Sequence, residues 1–169
     1  PTHPRARLVI VGGPTEESRA YAESLPELAR AAGLGELVRF TGYRDDIPDL
    51  MAAADLVAIP SLTEAQPRAA AQGLARARPI VASAVGGTVE IVQDGETGLT
   101  VPPADPKALA QALARLIAAP DLAQRLARAG RELAGRHLRF DARMAETLAV
   151  YEKALAHACR RSYMRTMDT

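Results

Sequence analysis

Apolar residues follow two spacings along this chain. Short β-branched runs at Arg7 to Val11 (RLVIV), Leu37 to Gly42 (LVRFTG), Asp55 to Ser61 (DLVAIPS), Arg78 to Ser83 (RPIVAS) and Thr97 to Pro102 (TGLTVP) predict five strands, the first and third reading as buried. The intervening segments repeat at helical spacing. Glu16 to Ala32 places Tyr21, Leu25, Leu28 and Ala32 at helical intervals, with Pro26 a point of kinking and Gly33 placed to end the helix. Asp46 to Ala54 predicts a short helix, and another is expected directly after DLVAIPS, with Glu64 in its first turns and Gln72 where an apolar residue would normally pack. Gly86-Gly87-Thr88 opens a short helix bearing Glu90, and Asp105 with Pro106 is a strong helix start, a capping carboxylate followed by proline at the first helical position. From Asp121 onward the pattern is helical throughout, weakened slightly by Gly130 and Gly135, with residues 141–169 as a closing helix and tail.

Strands alternating with amphipathic helices build βαβ units, so the predicted class is α/β, a Rossmann-like parallel sheet with helices on both faces. A chain of 169 residues fits one such domain, taken as 1–169. In sheets of this kind ligands bind beyond the carboxyl ends of the strands. Four segments leave those ends: Gly12-Gly13-Pro14, Gly42-Tyr43-Arg44, Ser61 to Pro67 and Ala84 to Glu90.

Charge narrows the function classes. The formal net charge is +1, and the 21 basic residues are almost all arginines spread over helical segments, which read as solvated faces, so no nucleic-acid partner is expected. Cys159 is the sole cysteine, which precludes an intramolecular disulfide and fits a reducing compartment. The chain has no apolar run of about 18 residues, so a soluble, cytoplasmic protein is expected, at most peripheral to a membrane. His3, His137 and His157 are scattered without partner ligands, and no metal site is expected from them.

Candidate chemistry lies at the glycines and at Glu64. The helix start after Ser61 to Gln66 would present free amides and a partial positive charge, which suits a phosphate, while Glu64 there also reads as a carboxylate favoured by the helix dipole. Gly12-Gly13 allows backbone to approach a ligand, and equally forms a plain turn. It is not a dinucleotide fingerprint, because Glu16 and Glu17 stand where glycine would be wanted, which disfavours a dehydrogenase. A second glycine-opened helix start at Gly86-Gly87-Thr88 points to a polyanionic ligand.

The succession LVIVGG, VRFTGYRDDIPDLMAAADLVAIPSLTEAQPRAAAQGLARARPIVASAVGGTVEIVQDGETGLTVPPADPKALAQAL, with RFDARMAETLAVYEKAL after it, resembles the C-terminal, nucleotide-sugar-binding half of the retaining glycosyltransferases of family 4, the group 1 enzymes, which have the GT-B fold. The likeness covers about residues 7–151. It implies a donor-binding domain for a UDP-, GDP- or ADP-sugar, with no cofactor and no metal. Glu64 matches the family residue that contacts donor-sugar hydroxyls and is the implied catalytic residue. Gln72 stands where a second glutamate usually holds the ribose hydroxyls, a departure that exchanges a carboxylate for an amide that both accepts and donates. Ala65 and Gln66 replace a common Gly-Phe pair, and with Pro67, Gly12, Gly13, Gly87 and Thr88 they fall at donor-sugar and phosphate positions. Tyr43 and Arg44 follow the strand whose end meets the nucleobase.

The same resemblance implies two further parts: a first strand with a basic loop ahead of Arg7, and an N-terminal acceptor-binding domain as partner. Without that strand a sheet of order 3-2-1-4-5-6 would be open at its centre, to be filled by another chain, by rearrangement or by a strand-swapped homo-oligomer. Two other readings stand beside the transferase: a non-catalytic nucleotide-sugar-binding or scaffold module of the same fold, and an epimerase sharing the architecture.

Overall fold

The computed structural model describes residues 3–167, with side chains described through residue 157. They fall into two compact units, Pro1–Ile47 and Pro48–Thr169. The side chain of Cys159 lies outside the described set, as do residues 168 and 169 of the expected tail.

In the first unit β1 (Leu8–Ile10) runs parallel to β2 (Val38–Phe40), with Leu8 opposite Val38 and Ile10 opposite Phe40. The crossover is α1 (Arg19–Ala31), followed by a 3-10 turn at Gly35–Leu37. The helix starts three residues later than the pattern predicts, because Thr15 and Ser18 close a turn: the Thr15 amide donates to Ser18 Oγ at 3.0 Å and the Ser18 amide to the Thr15 carbonyl at 3.2 Å. Pro26 sits inside one continuous 13-residue helix. Gly33, at φ +70°, ends it as expected: its amide donates to the Arg30 carbonyl and that of Leu34 to Ala29, the paired bonds that close a helix on a left-handed glycine.

The expectation that the first strand is buried is not met. Leu8 and Val9 are about half exposed, at 50% and 48%. The crossover helix α1 has no buried residue, and neither hydrophobic cluster includes a residue of the first unit, so no packed layer closes over β1 there as the helices close over β4.

The second unit contains α2 (Ile47–Ala53) from Pro48 onward, then β3 (Val57–Ile59), α3 (Arg68–Ala75), β4 (Ile80–Ser83), α4 (Thr88–Ile91), β5 (Leu99–Val101), α5 (Pro106–Ala118), α6 (Pro120–His137) and α7 (Phe140–Met167). Its three strands are parallel in the order β3-β4-β5. The central strand β4 is buried along its whole length, as a strand covered on both faces must be. Ile80 and Ala82 pack with Leu74, Ala70, Val92 and Ala134 on one face, and Val81 packs with Leu99, Leu116 and Leu126 on the other. Asp105 caps α5 as expected, its carboxylate accepting from the Ala108 amide at 2.8 Å.

Two findings bear on the site. The described strands form two separate parallel sheets, β1-β2 in the first unit and β3-β4-β5 in the second. Secondly, α3 starts at Arg68 and not near Glu64, because a residue before proline is disfavoured in the helical region and Gln66, which precedes Pro67, forms a bend. Glu64 consequently lies in a loop, and Glu64 and Gln72 do not share one continuous helix.

Candidate functional site

The second unit builds its site from two loops that leave adjacent strands. Residues 61–67 follow β3, and residues 84–87 follow β4. The Gly87 amide donates to the Glu64 carbonyl at 3.2 Å. Gly86 takes φ +45°, and a Cβ there would run into the Glu64 carbonyl oxygen; a Cβ on Gly87 would meet the carbonyl oxygen of Ala65. The two glycines thus let one backbone lie directly against the other, and the contact fixes where Glu64 stands. Its side chain is half-buried, with Ser61 Oγ at 3.4 Å from Oε2, long for a hydroxyl bond and weak.

Glu64 lines a cavity of about 620 Å³ with Leu62, Thr63, Ala65, Val85 and Gly86. Gln66 is exposed and Pro67 is buried at the foot of the loop. Thr88 is fully buried behind it, and its hydroxyl has no hydrogen-bond partner among the described residues.

Gln72, on the second turn of α3, is half-buried and lines a separate cavity of about 400 Å³ with Arg131, Ala134, Gly135, Leu138 and Arg139. The structure therefore brings Glu64 and Ala65 together with Gly86 and Gly87, and it places Gln72 beside two arginines instead.

In the first unit the other candidates gather where β1 and β2 end. The Gly12 amide donates to the Gly42 carbonyl at 2.9 Å, closing the two turns on each other. A Cβ on Gly13 would strike the Tyr43 ring, so the ring rests on bare backbone while 78% of the residue stays exposed. Arg44 Nε donates to Asp46 Oδ1 at 2.6 Å and its Nη2 to Oδ2, a two-point fork. That hydrogen bond, with the guanidinium charge, holds the Asp46 carboxyl below the usual aspartate range, and the carboxylate in turn raises Arg44. The sign follows: the lowered group contributes stability above the ordinary aspartate range and loses it as pH falls through the lowered value. The pair is thus fully ionised at neutral pH.

Sequence reasoning did not single out Asp46, Arg131 or Arg139. An arginine two residues from an aspartate in a loop is too common a pattern to stand out, and the arginines of α6 belong to a charged helical face. Among the described residues no group of three His, Cys, Asp or Glu side chains is placed to hold a metal ion, and no helix is long and apolar enough to cross a membrane.

Comparison with known proteins now adds to this geometry. The family model for glycosyl transferases group 1 matches residues 2–119. The chain belongs to that family. It is 39% identical over 162 residues to a D-inositol 3-phosphate glycosyltransferase of Nocardioides sp., covering 90% of this chain and 35% of the relative. Among solved structures it is similar to the Anabaena protein HepE in complex with UDP, at 31% identity and a TM-score of 0.79 over 87% of this chain and 42% of that one. It is likewise similar to the sucrose-phosphate synthase of Thermosynechococcus elongatus, at 32% identity and a TM-score of 0.83 over 92% of this chain and 40% of that one. The chain spans about a third of the length of the curated relatives it matches. As a group 1 glycosyltransferase domain it has the Rossmann-like architecture of one half of the GT-B fold, and it corresponds to the C-terminal domain of these enzymes.

Proposed function

We propose that this chain is the donor-binding domain of a retaining glycosyltransferase, which transfers a sugar from a nucleoside-diphosphate donor to an acceptor hydroxyl. The observation that carries the reading is Glu64, held at the wall of a cavity of about 620 Å³ by the Gly86-Gly87 turn. Binding of UDP by HepE, 31% identical, supports a nucleotide sugar as the ligand.

In this reading the Glu64 carboxylate accepts hydrogen bonds from donor-sugar hydroxyls and sets the orientation of the reacting carbon. The backbone around Ala65, Gln66 and Pro67, the first amides of α3 and the Gly87-Thr88 turn carry the phosphate side, where fixed dipoles stabilise charge that develops as the diphosphate leaves. Gln72 takes the ribose hydroxyls with its amide, at a cost of roughly 1.5 to 3 kcal/mol relative to a charge-assisted bond. No metal is required for these roles, and a cytoplasmic location suits a donor of this kind. The partners are the nucleotide sugar and an acceptor-binding domain in the longer protein, so the chain alone does not turn over.

The test is a thermal-shift titration with UDP, GDP, ADP and their common sugar conjugates. A ligand at a hundred times its dissociation constant stabilises by about 2.7 kcal/mol. The expected result is a shift with one base, lost in Glu64→Ala and enlarged in Gln72→Glu. A folded chain that responds to none of them supports the second reading, a non-catalytic module of the same fold, which the amide at position 72 favours.

A further inference from the structure

The cavity of about 400 Å³ between α3 and α6 lies wholly within the second unit. Ala71 and Ala75 stand one turn apart on α3, and Ala134 and Gly135 are their counterparts on α6, so small side chains leave the space open. A Cβ added at Gly135 would meet nothing within 4 Å. The polar part of the lining is Gln72, Arg131 and Arg139. Apolar walls with a few polar groups are the usual make-up of a small-molecule site, and the volume falls in the usual range.

The charge of this lining is one-sided. α3 carries no acidic residue, and Arg68 and Arg76 lie four residues before and after Gln72. The acids of α6 are Asp121, in its first turn, and Glu132, which is paired with Arg136 at 3.2 Å. Arg131 forms no ion pair among the described residues. Arg139 meets Asp141 at 3.5 Å with both side chains exposed, a weak contact that leaves most of its five N–H donors available. The C-terminal end of α6 adds about half a negative charge, against two full positive ones. Position 72 decides the balance: a glutamate there would give the cavity its own counter-ion, whereas the amide brings a donor and an acceptor without charge.

Two guanidinium groups match a phosphate monoester, which carries about 1.5 to 2 negative charges at pH 7 and presents three acceptor oxygens to their forked N–H groups. The Gln72 amide suits a hydroxyl on the rest of the molecule. We propose that this cavity is an anion site for a small hydroxylated phosphate monoester, with Arg131 and Arg139 on the phosphate and the Gln72 amide on a hydroxyl. The proposal goes beyond the donor-binding reading, in which neither arginine has a part.

The probe is glucose 6-phosphate, with glucose as its uncharged match, titrated into the chain by calorimetry and by amide chemical-shift mapping; the melting temperature of each variant is the folding control. Glucose 6-phosphate is expected to bind saturably and to shift Gln72, Arg131, Gly135 and Arg139, and glucose to bind at least about tenfold more weakly. Arg131→Gln and Arg139→Gln are each expected to weaken phosphate binding about tenfold or more, and Arg131→Lys, which keeps the charge, to retain part of it. Gln72→Glu, which the donor reading expects to enlarge the nucleotide response, is expected to weaken glucose 6-phosphate about tenfold, because its carboxylate takes the place of the anion. Absence of saturable binding, shifts confined to the Glu64 loop, equal binding of glucose, or unchanged affinity in a folded variant carrying both Arg131→Gln and Arg139→Gln overturns the proposal. Failure of the donor reading looks different: nucleotides then bind nowhere, while glucose 6-phosphate still shifts Arg131 and Arg139.

Discussion

Gly86 is the residue on which the placement of Glu64 turns. Its φ of +45° is one that side chains tolerate poorly, and a Cβ would occupy the position of the Glu64 carbonyl oxygen. Gly86→Ala is therefore expected to cost about 2 to 4 kcal/mol, the sum of left-handed strain and displacement of the opposing loop, measured as a fall in the urea midpoint. Any nucleotide binding should weaken with it. At this scale the sequence was informative where a residue type has one structural use, as with Gly33 ending α1 and Asp105 capping α5. It was silent on Asp46, because only the folded turn shows that both its oxygens meet Arg44, and on the unpartnered Thr88 hydroxyl, because burial depends on neighbours far along the chain.

At the scale of elements, α3 and α6 pack closely through Gly130. A Cβ there would enter the space of the Leu74 side chain and come to 3.2 Å from the Thr97 carbonyl oxygen, whereas one at Gly135 would meet nothing within 4 Å. Helix propensity favours alanine at both positions by about 1 kcal/mol. Overpacking at the first costs about 1 to 3 kcal/mol and outweighs that gain. Denaturant unfolding should therefore show Gly130→Ala less stable and Gly135→Ala more stable than the wild type, and a gain at both would contradict this account of the α3–α6 contact. The hydrophobic pattern could predict that α6 is a helix, but it treats the two glycines alike. It likewise predicted strand and helix order correctly and misplaced the start of α3, because local periodicity continues through Gln66 while the steric demand of Pro67 does not. The exposure of β1 was not legible in RLVIV, since the pattern reports what a strand could bury and not what covers it.

For the molecule as a whole, each of the two sheets ends in open edges, β1 and β2 in the first unit and β3 and β5 in the second, each paired on one side among the described residues. Open edges recruit other strands, and the account expects a strand from the longer protein, or from a second copy, to pair there. Light scattering of the isolated chain over a concentration series should show association, and a strictly monodisperse monomer with a continuous sheet would contradict it. The parallel α/β class was legible from alternating strands and helices. The placement of Gln72 with Arg131 and Arg139, and of Glu64 in another cavity, required the folded helices. The central claim is that a nucleotide sugar binds at Glu64. Amide chemical-shift mapping during titration with a nucleoside-diphosphate sugar tests it most directly: the account predicts saturable shifts at Glu64, Ala65, Gly86 and Gly87, and saturable shifts confined to other residues, or none, would contradict it.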